Sequence, residues 1–464
     1  MRLKKTRISD KSIPEWRSRL TGVTAGLLLF EIMTGLSLYL LPFSRFNQFS
    51  LLLHTIIGVL MLLPVIWYSI SHWRKRKGGN FSHFQLLGYL SVALLLLSFV
   101  SGAVVTWQGL MSERLQTLWD LMHLLSSLLF SVFVVLHLTT LIFRNFGRLG
   151  PGKDLISARR KFYFNALLGT GILFVLCFIG LSAYEKPQIQ KSFADNYNWR
   201  FGEDRPFAPS FAKLDDSVLK AQVRQQVSGL LSVLDAKKFQ QVFDKTQSPE
   251  HGIFTVVKNS LQGLAAVDEN RLNDILNNVA RDIQEHGALT AKAMAGSASC
   301  GSSNCHSEIY NEWLPSAHRY SSMDDMFQQV QSLMVDETSA EHTRYCAGCH
   351  DPISLFSGAK NSSNITLSAE GADEGASCMI CHSISKTDVQ GNGNYQVKPP
   401  QRYLFELSDG SVAKIVSDFL IRTYPQQHLQ SFSRALYKTP EFCAACHKQY
   451  LDTDVNTDIG KVQG

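Results

Sequence analysis

The sequence predicts a mainly α-helical protein in two parts. The first is a transmembrane four-helix bundle with a fifth, tethering helix; the second is an exported helical spacer followed by a region with little regular secondary structure. Three observations carry this. Five apolar runs fill the first 182 residues, basic residues collect at one end of those runs, and four Cys/His clusters crowd the last third of the 464-residue chain.

The apolar runs cover residues 20–41, 49–70, 84–106, 118–143 and 162–182. Each is near the ~20 residues a helix needs to cross hydrocarbon. The first is too long for a signal-peptide core and no convincing small-residue cleavage site follows it, so it reads as an uncleaved helix. The N-terminal tail (Arg2, Lys4, Lys5, Arg7, Lys11, Arg17, Arg19) and the loops at 74–77 and 144–161 hold seventeen basic residues, while the two intervening loops hold only Arg45 and Arg114. The tail is therefore expected in the cytoplasm, and five crossings deliver everything after residue 182 to the far side, which is the periplasm of a bacterial inner membrane where the Cys/His clusters attach haem covalently.

The net charge of +6 divides unevenly: residues 1–161 carry +13 and residues 162–464 carry −7. The basic part reads as a cytoplasmic membrane surface, not a nucleic-acid site. The acidic exported part favours an electropositive partner at low salt.

Histidine is rare inside a spanning helix and usually functional there. The fourth run carries His123 and His137. Fourteen residues give about 21 Å of rise and leave the two roughly 40° from one face. The second helix carries His54 within its run and His72 just past the run's inner end, and eighteen residues return to the same face after about 27 Å. Pro64 between them shortens or bends that path. The expected pairs are His54 with His123 at the outer level and His72 with His137 at the inner level, each pair gripping one metal porphyrin, a haem b. His83 competes with His72. Gly58, one turn below His54, would let a flat macrocycle approach. Polar packing histidines are the plainer alternative. The fifth run has neither His nor charge and is read as a tether, with Cys177 a small buried apolar residue in it.

Glu31 sits mid-span in the first run, where a carboxylate must be neutral, paired or functional. A proton relay for quinone chemistry and a hydrogen-bonded structural acid are the two readings. Asp120 and Glu113 near the outer mouth are similar relay candidates, with a helix N-terminal acid the plainer role for Asp120. Arg114 neutralises a haem propionate or marks the interface.

Residues 183–215 read as an extended lead-out broken by Pro187, Pro206 and Pro209. From 216 to about 290 apolar spacing turns helical, giving two or three helices of a spacer or docking module. The expected organisation is therefore 1–161 tail and four-helix membrane domain, 162–182 fifth helix, 183–295 lead-out and spacer, and 296–464 the Cys/His-rich domain.

That last domain contains Cys346-Ala-Gly-Cys349-His350, Cys378-Met-Ile-Cys381-His382, Cys443-Ala-Ala-Cys446-His447 and a stretched Cys300-Gly-Ser-Ser-Asn-Cys305-His306. Eight of the nine cysteines lie in these signatures, so no disulfide framework remains. Paired thiols with an adjacent imidazole suit thioether attachment of haem c and axial ligation by the His. Zinc needs two such knuckles around one ion and gives no reason for the recurrent His. His306, His350, His382 and His447 are thus proximal ligands of four haem c groups. His318, His342 and His428 are the sixth-ligand candidates, and His251 and His286 fall in the spacer. One iron is left over; Met323, Met326, Met334, an outside ligand or an open position are its options.

The segment CGSSNCHSEIYNEWLPSAHRY resembles the opening motif of the hydroxylamine-oxidoreductase-associated tetrahaem cytochrome c family. That resemblance implies a sixth-ligand role for His318 and a packing role for Trp313. CAGCHDPISLFSG and GASCMICHSI look like runs in related bacterial multihaem cytochromes, and the resemblance covers roughly residues 300–456. The bundle is similar to di-haem cytochrome b anchors of quinone-linked oxidoreductases, departing from some in having no His in helix one. Similar proteins continue past the last haem with a further Trp-x-x-Ser motif. This sequence ends at Gly464, which reads as a split gene, a fragment, or a site completed by a second subunit.

The leading expectation is membrane-bound electron transfer between quinone and a periplasmic carrier or other subunits of a redox complex. Reduction or oxidation of a small nitrogen or sulfur compound at an open c haem, and a non-catalytic wiring anchor of a larger complex, are the alternatives.

Overall fold

A computed structural model describes residues 18–76, 82–112, 114–146, 153–187, 189, 210–211, 289–302, 305–337, 340–361, 367–387, 391, 393 and 395–448. The tail, Glu113, His251, His286 and nearly all of the spacer lie outside the described residues, as does the side chain of His342. The chain divides into two compact units, residues 1–186 with 402–427, and residues 187–401 with 428–464.

The first unit is helical. Its elements are α1 (Arg19–Leu40), α2 (Arg45–Leu60), α3 (Leu62–Arg76), α4 (His83–Met111), α5 (Thr117–Phe146) and α6 (Lys153–Ala183). Four of these are long and apolar enough to cross a membrane, and the bent pair α2–α3 makes up to a fifth. Apolar side chains face outward all round it: Leu63 is 77% exposed and Phe164 and Leu118 64%, as suits lipid.

The expected second span is two helices meeting at 46°. The break falls at Met61, three residues before Pro64, because the proline ring clashes with the carbonyl four residues earlier and has no N–H to give it. The straight-helix count placing His54 and His72 on one face does not carry across this bend.

Helices α1 and α6 pack closely. Gly22 and Gly26, four apart on α1, leave no room for a Cβ against Asn165 and the Ala166 carbonyl of α6. Thr170 Oγ1 donates to the Gly26 carbonyl at 2.9 Å. Small residues at such spacing let backbones approach where lipid offers no hydrophobic drive. Phe30, Leu173 and Cys177 are buried together beside this seam, with Cys177 Sγ 3.8 Å from Ser50 Oγ.

Residues 402–427 complete this unit. Tyr403, Leu404, Leu420 and Tyr424 bury against Leu51 of α2, and the Leu404 amide donates to Gln48 Oε1 at 2.8 Å. A further helix, Ser411–Thr423, reaches α4, where Arg422 Nη1 donates to the Gly109 carbonyl at 3.1 Å.

The second unit is built of short helices and a small sheet. The helices are α7 (Ser297–Gly301), α8 (Ser307–Trp313), α9 (Ala317–Tyr320), α10 (Asp325–Glu337), α11 (Ala340–His350), α12 (Pro352–Ser357) and α13 (Cys378–Ser383). Beyond them come α14, the Ser411–Thr423 helix of the first unit, then α15 (Gln426–Phe432) and α16 (Pro440–His447). Strand β3 (Tyr395–Val397) lies between β1 (Ser210–Phe211), parallel to it, and β2 (Ile384–Thr387), antiparallel. The core gathers Leu289, Met294, Ile353, Phe356, Ile380, Ile384, Tyr395, Val397 and Ala445. These are few large groups for four Cys-containing segments, so the segments lean on turns and caps. Glu374 takes the amides of Gly296 and Ser297 at 2.6 and 3.0 Å, starting the helix that carries Cys300. Ser377 caps the helix that carries Cys378 by accepting from the Ile380 amide.

Candidate haem centres

In the bundle, α2 brings His54 against His123 of α5. Their ring centres are 6.3 Å apart and their planes 83° from parallel. Two imidazoles ligating one metal from opposite sides, each through a nitrogen at about 2 Å, have centres roughly 6 Å apart. The Nδ1 atoms are already engaged: that of His54 lies 2.9 Å from Glu31 Oε2 and 3.0 Å from Thr34 Oγ1. That of His123 lies 3.0 Å from the Ser98 carbonyl. Acceptors on Nδ1 fix the proton there and leave Nε2 as the ligand nitrogen. These residues fit a bis-imidazole haem. A cavity of about 310 Å³ adjoins both rings and is lined also by Glu31, Tyr39, Asp120 and Gly102.

Helix α4 makes room for the rings. A Cβ at Gly102 would meet His123 Cε1 at 2.9 Å, and one at Gly88 would meet His137 Cε1 at 3.2 Å. Gly88 and Gly102 are fourteen residues apart, as are His123 and His137. Sequence reasoning passed over this pair, although equal spacing on neighbouring spans is the signal. Gly58, expected to face a macrocycle, lines the same cavity, and its ideal Cβ would stand 3.6 Å from Glu31 Oε2. His72 stacks on Tyr68 of its own helix at 5.6 Å, while His83 is exposed at the start of α4. Arg114 is exposed and Asp120 is half-buried.

In the second unit two of the four signature imidazoles face a second imidazole. His306 faces His428 at 6.1 Å, with planes 14° from parallel. His318 faces His447 at 5.9 Å and 82°. Both spacings suit one metal between the rings. His350 stacks on Phe327 at 4.6 Å, and its Nδ1 lies 3.3 Å from the Ser321 carbonyl. His382 lies against Tyr437 at 4.8 Å and Phe432 at 5.2 Å. Burial first, then His428 and His306, push the His382 imidazole down to about 4, so it is neutral, the form that binds a metal. Its Nδ1 is buried with no hydrogen-bond partner among the described residues. Met326 is 74% exposed.

His318 is positioned by the approach to another signature. The Ala376 amide donates to the His318 carbonyl at 2.9 Å, and Trp313 Nε1 donates to the Ala376 carbonyl at 3.0 Å. Trp313 thus ties the stretched signature to the one at Cys378.

The thiols lie close across signatures. A hydrogen bond with Cys300 is the main cause that brings the Cys378 thiol down to about 7. One with Cys349, together with burial, pushes Cys446 well up. Burial, then Cys446 and Cys378, pushes Cys381 up to about 12. Among the described residues no three His, Cys, Asp or Glu side chains are grouped as a metal-ion site; His306 and His447, each next to its own Cys pair in sequence, are the two signature imidazoles that face a second imidazole.

Residues 299–383 match the Cytochrome c554 and c-prime family. The matched stretch holds three of the four signatures. No curated protein and no solved structure matches the chain. The C-terminal region is a multihaem c-type cytochrome domain, and haem-based electron transfer is the chemistry it serves. It is joined to apolar helices that suit insertion in a membrane.

Proposed function

We propose that this protein is a membrane-bound electron-transfer cytochrome linking the quinone pool to a periplasmic redox partner. Four haem c groups attach at Cys300/Cys305, Cys346/Cys349, Cys378/Cys381 and Cys443/Cys446, with His306, His350, His382 and His447 as proximal ligands. His428 and His318 are the sixth ligands opposite His306 and His447, and His342 is the candidate for a third iron. Two haem b groups sit in the bundle, the outer at His54 and His123 and the inner at His72 and His137. The N-terminus is cytoplasmic and the c domain periplasmic.

The observation that carries this reading is the His54–His123 pair, 6.3 Å apart with both Nδ1 atoms held by acceptors. Haem iron supplies one-electron chemistry when bound. The chain binds and orients it: histidines fix the axial nitrogens, Gly88 and Gly102 admit the His137 and His123 rings, and the apolar span excludes water. Glu31 and Asp120, both lining the same cavity, are the candidate proton carriers for quinone chemistry, with Glu113 a third. A pyridine haemochrome count on purified protein tests the reading. Two b haems to four c haems is the expected ratio, with quinol reducing both kinds. A protein holding c haem alone would end the quinone reading.

A further inference from the structure

We propose that Glu31 is a positioning residue for the iron held at His54 and His123, and that its carboxylate lowers that iron's potential through the hydrogen bond from His54 Nδ1. This rests on the b-haem reading above and concerns the asymmetry between its two axial ligands.

Glu31 lies in the middle of α1, a helix that contributes no histidine. A carboxylate at that depth is costly unless its surroundings compensate. Its Oε2 is 2.9 Å from His54 Nδ1, with side-chain exposures of 12% for Glu31 and 20% for His54. Its other oxygen, Oε1, is buried without a hydrogen-bond partner. Among the described residues the imidazole is thus the carboxylate's polar attachment. Thr34 strengthens the arrangement. Its hydroxyl donates to the Phe30 carbonyl at 2.7 Å, so at 3.0 Å from Nδ1 it has only a lone pair to offer. Both neighbours of Nδ1 are then acceptors, and the proton stays on that nitrogen.

His123 is held differently. Its Nδ1 meets the neutral carbonyl of Ser98 at 3.0 Å. A carboxylate draws the Nδ1 proton more strongly than a carbonyl does and makes the opposite nitrogen a better donor. A more basic axial nitrogen stabilises ferric over ferrous iron.

The test is a spectroelectrochemical titration of purified, full-length, haem-loaded protein and its E31Q variant, with ferric paramagnetic resonance spectra of both. Glutamine keeps the shape and offers a neutral oxygen. The expected result is that one b haem becomes easier to reduce, by on the order of tenfold in its reduced-to-oxidised ratio at fixed poise, about 59 mV for one electron. The largest g value of the same haem shifts, and the other haems do not move. E31Q with a full complement of b haem and an unchanged midpoint and g value overturns the proposal. Should E31Q not retain the haem, two variants decide. E31D holding the haem at a low midpoint supports the proposal, and E31A holding it at the wild-type midpoint overturns it. Wild-type protein without b haem would instead fail the earlier reading, before this hydrogen bond is tested.

Discussion

His306 and His428 face each other 6.1 Å apart with rings 14° from parallel, although one belongs to a Cys/His signature and the other to a helix near the end of the described chain. His428 in turn stacks on Phe432 at 4.6 Å, which holds its ring plane. Replacing His428 with Ala removes the proposed sixth ligand while leaving Cys300, Cys305 and His306 in place. The expected outcome is an unchanged c-haem count and about one haem per chain converted to high spin, read by paramagnetic resonance. A variant with no more high-spin haem than the wild type would show that His428 is not that ligand.

The approach of Gly102 to His123 gives a second expectation. A Cβ there would stand 2.9 Å from His123 Cε1, and helix backbones on both sides limit relaxation. Gly102→Val should displace the imidazole, cost about 1–3 kcal/mol of overpacking, and cut b haem while sparing c haem. Gly88→Val should act in the same way on the haem that His137 serves. Haemochrome spectra of the two variants separate b from c directly.

The spans were legible in the sequence because lipid demands long apolar runs, and the signatures because thioether attachment demands fixed residue types. Partnership was harder to read. His54 and Glu31 stood out separately, but periodicity within one helix says nothing about which helix it meets. The packing of Leu420 against Leu51 joins residues far apart in sequence, so nothing local marked residues 402–427 as belonging with the bundle. The bend near Pro64 was legible as a possibility, while its site at Met61 follows from the clash one turn earlier. His428 was legible as a ligand candidate, but its partner emerged only from the folded chain.

Beside His350 lies a buried ion pair. Lys360 Nζ is 3.0 Å from Asp351 Oδ2, with side-chain exposures of 1% and 2%, and it donates to Gln331 Oε1 at 2.8 Å. Removing one partner strands the other charge, so Lys360→Met should destabilise the unit by about 3–5 kcal/mol. Adding Asp351→Asn should recover part of that loss. Denaturant unfolding of the two variants reads it, and equal losses would mean the pair is not coupled.

Gly375 supports His318 from behind. Its φ of +52° is in the left-handed region, and an added Cβ would meet the His318 carbonyl and Ser321 Oγ, each at 2.5 Å. Gly375→Val combines backbone strain of on the order of 1–3 kcal/mol with a push on the residue opposite His447. His318 is held at that point by its carbonyl, through the Ala376 amide, so the push reaches the imidazole through the backbone. The haem at Cys443 and Cys446 should lose its low-spin signal, while the haem of His306 and His428 keeps its own. Trp313→Phe, which removes the hydrogen bond to the Ala376 carbonyl and keeps a smaller aromatic ring, should give the milder version: about 1 kcal/mol of stability and a low-spin iron. A Gly375→Val protein with no more high-spin c haem than the wild type would place the support of His318 elsewhere.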